Sequence, residues 1–468
     1  MKKSFLATII FLSLAFADRL PAQIVPATAK SNTVATALDH TEPAVPVEPI
    51  AVIVAAFRSN AVVAIGNVEF RGNEQCHAFQ MQLIRDLRFA AVTNDILVEF
   101  GNSRYQDVVD RFVRGEEVPY ESLRHVWQDT SQVEYEWDLP IYEDFFRTVR
   151  ALNASLPQTR QLRVLLGDPP VDWKNIHSLQ DLRKAMGDRD GYALGVLRRE
   201  VLAKDRRALV IYGTQHLTRR NTDPAAADEW SPGIIARLEK DHLASAFSIL
   251  PETRRDLSRL QPDVTSWRVP SLAMLRGTVL GSARWDPDPK RRPVRIEEQF
   301  DAILYLGPPS SMTASRLAPT LCSDPAYMEM RLWRLSLLPP PPGATFAPAD
   351  QLKDYCAHLG GYKEIPDRES ALTERLRKVL EEAAHGKVNS DSLAPESRDR
   401  LTAFLERDGP RYLAQAGKLE SLTLLEDSDS AGKRVRRYRS VFASGLKMMW
   451  TVGFSSAGTI VSLDPRPE

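Results

Sequence analysis

Two hydrophobic patterns alternate along the first three hundred residues. Short continuous apolar runs with many β-branched residues occur at AVVAIGN (61–67), DILVEFGN (95–102), LRVLLGD (162–168), ALVIYGTQH (208–216), ASAFSIL (244–250) and DAILYLG (301–307). Between them lie PIAVIVAAFRSN, HAFQMQLIRDLRF, YQDVVDRFVRG, IYEDFFRTVRALNASL and ALGVLRREVLAKD, whose apolar residues recur at helical intervals. Uninterrupted apolar strands need cover on both faces, and helices between successive strands supply it. The pattern therefore predicts an α/β fold: an open, mostly parallel sheet covered by helices. Six strands are fewer than the eight that usually close a barrel.

Beyond residue 307 the alternation stops. The run Pro339-Pro340-Pro341-Pro342 excludes helix and central strand and reads as a stiff spacer, and Gly360-Gly361 breaks the mixed stretch before Pro366. Two helical stretches follow, ESALTERLRKVLEEAAHG and SRDRLTAFLERDGPRYLAQAG. Four strand patterns at hairpin spacing come next: LESLTLLEDSD, KRVRRYRSVFASG, LKMMWTVGFSSAG and TIVSLDP. This order predicts a small C-terminal α+β domain with an antiparallel sheet curved around helices. The expected division is an α/β domain over 49–310, a Pro-containing linker region over 311–366 and a module over 367–468.

The N-terminus reads as an address. Lys2 and Lys3 precede an apolar run over 5–17 that ends in Ala15-Phe16-Ala17, small residues at the spacing a signal peptidase accepts. The run falls short of the ~20 residues that cross a bilayer, so a cleaved signal peptide over 1–17 is expected, with no transmembrane span left afterwards. A loose Ala/Pro/Thr/Val leader over 18–48 and an exported, periplasmic or extracellular protein complete that expectation.

Composition narrows the partners. A chain of 468 residues with 43% apolar and 26% charged residues suits two globular domains, and 61 basic residues balance 61 acidic ones. No basic surplus points to nucleic acid, and the cluster over 433–439 reads as an exposed strand face. Of three cysteines, Cys322 and Cys356 can bridge in an oxidising compartment. An odd count argues against a disulfide framework, and Cys76 reads as a small buried residue.

In an open parallel sheet, ligands bind at the carboxyl ends of the strands. The residues there are Asn67 and Glu69, Glu99 and Asn102, Asp168 and Asp172, and His216. Glu99 lies inside the apolar VEFGN and calls for a partner and a raised pKa, a salt bridge to Arg104 or Arg163 being the plain alternative. His216 suits general-base or metal-ligand work, and otherwise a hydrogen-bonded loop histidine. Asp168 opens GDPPVDW, where Pro169 and Pro170 stiffen the loop, although Asp before Pro also starts ordinary turns. Glu74 and His77, three apart on one helix, form a Glu-x-x-His pair of the kind that can ligate a metal. His125 and EYEWDLPIYEDFF read as core packing beside a pocket wall. The fingerprints G-x-S-x-G, H-E-x-x-H, the Walker loop and G-x-G-x-x-G are missing from these contexts.

At these positions the chain resembles the erythromycin esterase group and its ChaN-like haem-binding and Tiki-type relatives. The resemblance spans 49–307 and rests on VVAIG, ILVEFGN with YQDVVDRFVRGEEVP, LVIYGTQHL and FDAILYLG. It implies Glu99 and His216 as an acid and a later histidine around one pocket, activating water on a lactone in the esterases and serving a porphyrin in the haem binders. The first motif departs: in place of Gly-Glu-x-x-His stands Gly66-Asn67-Val68-Glu69-Phe70. Loss of such a base costs about 10²–10⁴ in rate unless Glu69 or His77 substitutes. The C-terminal stretch resembles nuclear-transport-factor-like or cystatin-like modules. Two functions follow as expectations. One is an exported hydrolase of ester or lactone bonds using Glu99, His216, Glu69 and His77, with Asn67, Glu74, Asn102, Asp168 and Asp172 binding a small-molecule ligand. The other is a non-catalytic binder of haem, a divalent metal or another small ligand.

Overall fold

The computed structural model describes residues 42–67, 72–241, 243–286, 291–340, 347–430 and 433–467. Seven strands form the first sheet: β1 (Val62–Asn67), β2 (Asp95–Asn102), β3 (Arg163–Asp168), β4 (Ala208–Gly213), β5 (Ala246–Glu252), β6 (Ser271–Met274) and β7 (Ala302–Tyr305). Their order is β3-β2-β4-β1-β5-β7-β6, with every neighbouring pair parallel except β6 and β7. Six of these are the apolar runs. The seventh, β6, is a four-residue edge strand too short to show a period.

Side chains alternate across this sheet and build two cores. Val63, Ile65, Val98 and Phe100 pack under the helices Glu74–Arg85, Gln106–Val113 and Pro140–Ser155. Val62, Ala64, Leu97 and Tyr212 pack under Arg189–Val196 and Ile234–Lys240. The helices that follow β1 and β2 thus cover one face, and those on either side of β4 cover the other. β4 sits between two strands whose connections leave to the opposite face, the kind of switch point at which a crevice opens at the carboxyl edge. The aromatic stretch is core, as its sequence suggested: Phe100 lies 4.8 Å from Tyr142, 5.1 Å from Phe145 and 5.9 Å from Trp137.

The C-terminal sheet is an antiparallel meander of β8 (Leu419–Ser430), β9 (Lys433–Phe442), β10 (Lys447–Phe454) and β11 (Ile460–Pro467). Leu376, Leu380, Leu401, Tyr438, Trp450 and Val452 pack it against the helices Ser370–Ala384 and Arg398–Ala416. An α/β domain with a small α+β domain is therefore the architecture.

Three features differ from the sequence reading or add to it. The basic cluster does not form an exposed face: Arg436 and Arg437 are buried. Arg436 pairs with Asp367 at 3.0 Å and Asp427 at 2.9 Å, while Arg437 pairs with Asp354 at 2.6 Å and donates to the Tyr362 hydroxyl. Burial of a charge is tolerated where carboxylates from neighbouring elements meet it, which strand alternation alone cannot show. The stretch expected as a linker region carries the helices Pro319–Cys322, Pro325–Ser336 and Pro348–Ala357, and Tyr327 and Leu335 of the second join the core of the first sheet. Cys322 and Cys356 are bridged, with Cα atoms 5.4 Å apart, and Cys76 is buried. The signal and most of the leader lie outside the described residues, among which no helix is long and apolar enough to cross a membrane.

Candidate active site

Parallel register places Val98 of β2 beside Ile211 of β4, and Glu99 is the next residue of β2. Glu99 is 0% exposed. Its Oε2 accepts the Gly213 backbone N–H at 2.7 Å, and its Oε1 accepts from the Arg189 guanidinium at 3.2 Å and faces His216 Nε2 at 3.6 Å. Arg189 is thus an ionic partner of Glu99. Arg104 and Arg163, the alternatives weighed from sequence, pair instead with Asp172 and with Asp110 and Glu200.

His216 follows β4 directly, in the short helical turn Thr214–Leu217. Its Nδ1 lies 2.6 Å from Asp190 Oδ1. Arg189 and Asp190 are the first two residues of the helix Arg189–Val196, whose N-cap Asp188 accepts from Gly191 N–H at 3.0 Å. One capped helix start thereby delivers a cation to Glu99 and an anion to His216. Arg189 also donates to Asp168 Oδ1 at 3.2 Å, and Asp168 accepts from Ser131 through its backbone N–H at 2.5 Å and its hydroxyl at 2.6 Å.

Burial pushes the Asp168 carboxyl above its ordinary range against the pull of Arg189 and the Ser131 hydrogen bonds, and the Glu99 charge adds to the rise. Burial alone would lower His216, but Asp190 and then Glu99 carry its pKa above 6.5. The two carboxylates thus favour the cationic imidazole, in which Nδ1–H meets Asp190 and Nε2–H is aimed at Glu99. Such a ring can give a proton at Nε2, and the adjacent carboxylate can take one.

Arg189 bridges Glu99 and Asp168, and His216, held by Asp190, faces Glu99. Asn67 ends β1 opposite Gly213, and its backbone carbonyl accepts from the Thr214 hydroxyl at 2.9 Å, tying β1 to the His216 turn. Glu69 lies outside the described residues. The remaining candidates stand apart. Asn102 donates to the carbonyls of Asp129 and Val171 and accepts from Arg104 N–H, a clamp between loops. Asp172 caps the turn Trp173–Asn175 and pairs with Arg104 at 3.2 Å. Glu74 accepts from the Thr313 hydroxyl at 2.6 Å, whereas His77 turns to Asp144 at 3.0 Å and has its pKa lowered by burial. Helical spacing put these two on one face, but neighbouring elements separate their partners. Among the described residues no three His, Cys, Asp or Glu side chains are grouped to hold a metal ion.

Sequence reasoning missed Arg189, Asp190, Ser131 and Tyr212. Only the Asp188-Arg189-Asp190-Gly191 stretch before the helical pattern carries a signal, that of an ordinary helix start.

Fold and site together define an α/β protein with an acid–base cluster at the switch point of an open sheet. No protein-family model matches the chain, and neither does any curated protein. Among solved structures the chain is similar to a protein from Bacillus cereus at 10% identity, covering 58% of this chain and 92% of that one with a TM-score of 0.39. A succinoglycan biosynthesis protein aligns at 10% identity over 59% and 94%, TM-score 0.42. A mutant of the erythromycin esterase EreC in its open conformation aligns at 12% identity over 57% and 94%, TM-score 0.40.

Proposed function

We propose that this chain is an exported hydrolase of ester or lactone bonds, with Glu99 as general base and His216 as general acid. One observation carries the reading: His216 is held at Nδ1 by Asp190 while Nε2 faces Glu99 at 3.6 Å, at the carboxyl edge of the sheet. In the reaction, Glu99 takes a proton from water as the water oxygen bonds to the carbonyl carbon. His216 gives its Nε2 proton to the departing alkoxide as the acyl C–O bond breaks. The proton on Glu99 then returns to Nε2, leaving one acid, one alcohol and the starting enzyme. The sequence resemblance at ILVEFGN and LVIYGTQHL supports the same pair. Export is supported by the charged and apolar N-terminus and by the bridged Cys322 and Cys356, since disulfides persist in oxidising compartments.

The test is turnover of p-nitrophenyl acetate and a panel of small-ring and macrocyclic lactones. Glu99→Gln and His216→Ala are each expected to lower kcat about 10²–10⁴-fold, and a wild type inert toward the whole panel sinks the hydrolase. A second reading, a non-catalytic binder of haem, a divalent metal or another small ligand, is favoured by Asn67, an amide where the esterases carry an acid. An inert wild type whose melting temperature or absorbance changes on titration with haem or Zn²⁺ would select it.

A further inference from the structure

Tyr212 enters the same cluster and has no part in the chemistry above. Its side chain reaches from β4 across β2 to the end of β3, where a Cβ on Gly167 would stand 2.1 Å from the hydroxyl oxygen and 2.9 Å from Cζ. Only a residue without a side chain leaves that space, so Gly167 makes the room for the hydroxyl. The Tyr212 ring is 2% exposed and lies edge-on to the His216 ring at 5.9 Å. Burial, and then the charge of Glu99, hold its hydroxyl protonated well above the usual 10, and Arg189, Asp168 and Asp190 act on it as well. Among the described residues, the hydrogen bonds by which Glu99 takes Gly213 and Arg189, Asp168 takes Ser131 and Arg189, and His216 takes Asp190 do not use this hydroxyl.

A donor that its own network leaves aside is ready for a partner that arrives from outside. We propose that the Tyr212 hydroxyl donates to the carbonyl oxygen of the bound ester or lactone and stabilises the oxyanion that forms there. This rests on the hydrolase reading and adds a substrate-contacting residue to it. A neutral phenol suits the position, because it donates without adding charge to a cluster whose guanidinium is already shared between two carboxylates.

Tyr212→Phe keeps the ring and removes only the donor. The expected result is a kcat lowered about 10²–10³-fold with KM within about threefold, and a melting temperature equal to or above that of wild type. Undiminished turnover overturns the proposal, and so does a melting temperature several degrees lower, which would show the hydroxyl to be structural. A second readout does not depend on catalysis. In protein labelled with [ζ-¹³C]tyrosine, the Tyr212 resonance, assigned by its loss in Tyr212→Phe, is expected to shift saturably on addition of γ-butyrolactone. A resonance that stays fixed overturns the proposal whether or not wild type hydrolyses the probe. A saturable shift in a protein without turnover leaves Tyr212 as a ligand donor and removes the hydrolase.

Discussion

Two buried ionic clusters share the segment 128–138 and treat charge differently. At the sheet edge Glu99 and Asp168 both pair with the Arg189 guanidinium at 3.2 Å. Behind the loop, two guanidinia serve two carboxylates: Arg331 pairs with Asp138 at 2.7 Å and Arg334 with Asp129. Arg331 also donates to the carbonyls of Val133, Glu134 and Gln128 and Arg334 to that of Gln128, and Arg334 lies 4.1 Å over the Trp173 ring. Asp129 also takes His125 at 2.8 Å and the Tyr105 hydroxyl at 2.8 Å. Burial would raise Asp129, but His125 and Arg334 hold it well below 3.8, and burial together with Arg331 pushes Arg334 down to about 10. Asp168 moves the other way. Asp138, enclosed on all sides, is raised by burial in spite of Arg331 and the Tyr327 hydroxyl, so it is the partly open Asp129, with His125 and Arg334 beside it, that becomes the fixed anion pinning the loop. Ser131 links the two, since the loop clamped by Arg331 and Arg334 is the one that holds Asp168.

The largest expected effect tests the clamp. Arg331 is 1% exposed, and Arg331→Met leaves Asp138 buried without its counter-charge, a loss of about 3–5 kcal/mol by urea denaturation. A loss under about 1 kcal/mol would mean that the helix Pro325–Ser336 is held by apolar contacts alone.

Opposite pH signs come next. His216 is raised in the folded state, so its contribution is complete below 6.5 and fades as pH rises through the folded pKa. Asp129 is lowered, so its contribution is complete above 3.8 and fades as pH falls toward the folded value. Melting temperatures across pH should therefore show the gap between wild type and His216→Gln closing toward alkaline pH. The gap for Asp129→Asn should close toward acid. Two gaps closing in the same direction would erase the contrast between the clusters.

The smallest effect belongs to the surface. Asp172→Ala removes a partly exposed pair with Arg104 and the cap of the turn Trp173–Asn175, and is expected to cost about 0.5–1 kcal/mol while leaving ester turnover unchanged. A marked loss of turnover would return Asp172 to the site.

Six of the seven strands of the first sheet and the succession of two helices and four strands at the C-terminus were legible in the sequence. Burial on two faces demands unbroken apolar runs, and burial on one helix face demands a helical period. Glu99 and His216 were legible for a related reason: a polar residue within or just after such a run stands at the sheet edge whatever the rest of the chain does. Arg189, Asp190 and Ser131 were not, because each lies in a loop or at a helix start where polar residues are ordinary. Arg436 and Arg437 were misread because alternation along β9 does not say what covers its outer face, and Asp354 and Tyr362 come from another segment.

By itself the sequence determined the periodicities, and with them the strands, the helices and the residues that must end at the carboxyl edge. These follow from local chain geometry and from the cost of exposing apolar surface. Tertiary structure alone decided which charges meet: that Arg189 joins Glu99 to Asp168, that Asp190 orients His216, and that Glu74 and His77 part company. Pairing of buried charges depends on distances of a few ångströms between segments far apart in the chain, and no local pattern encodes those.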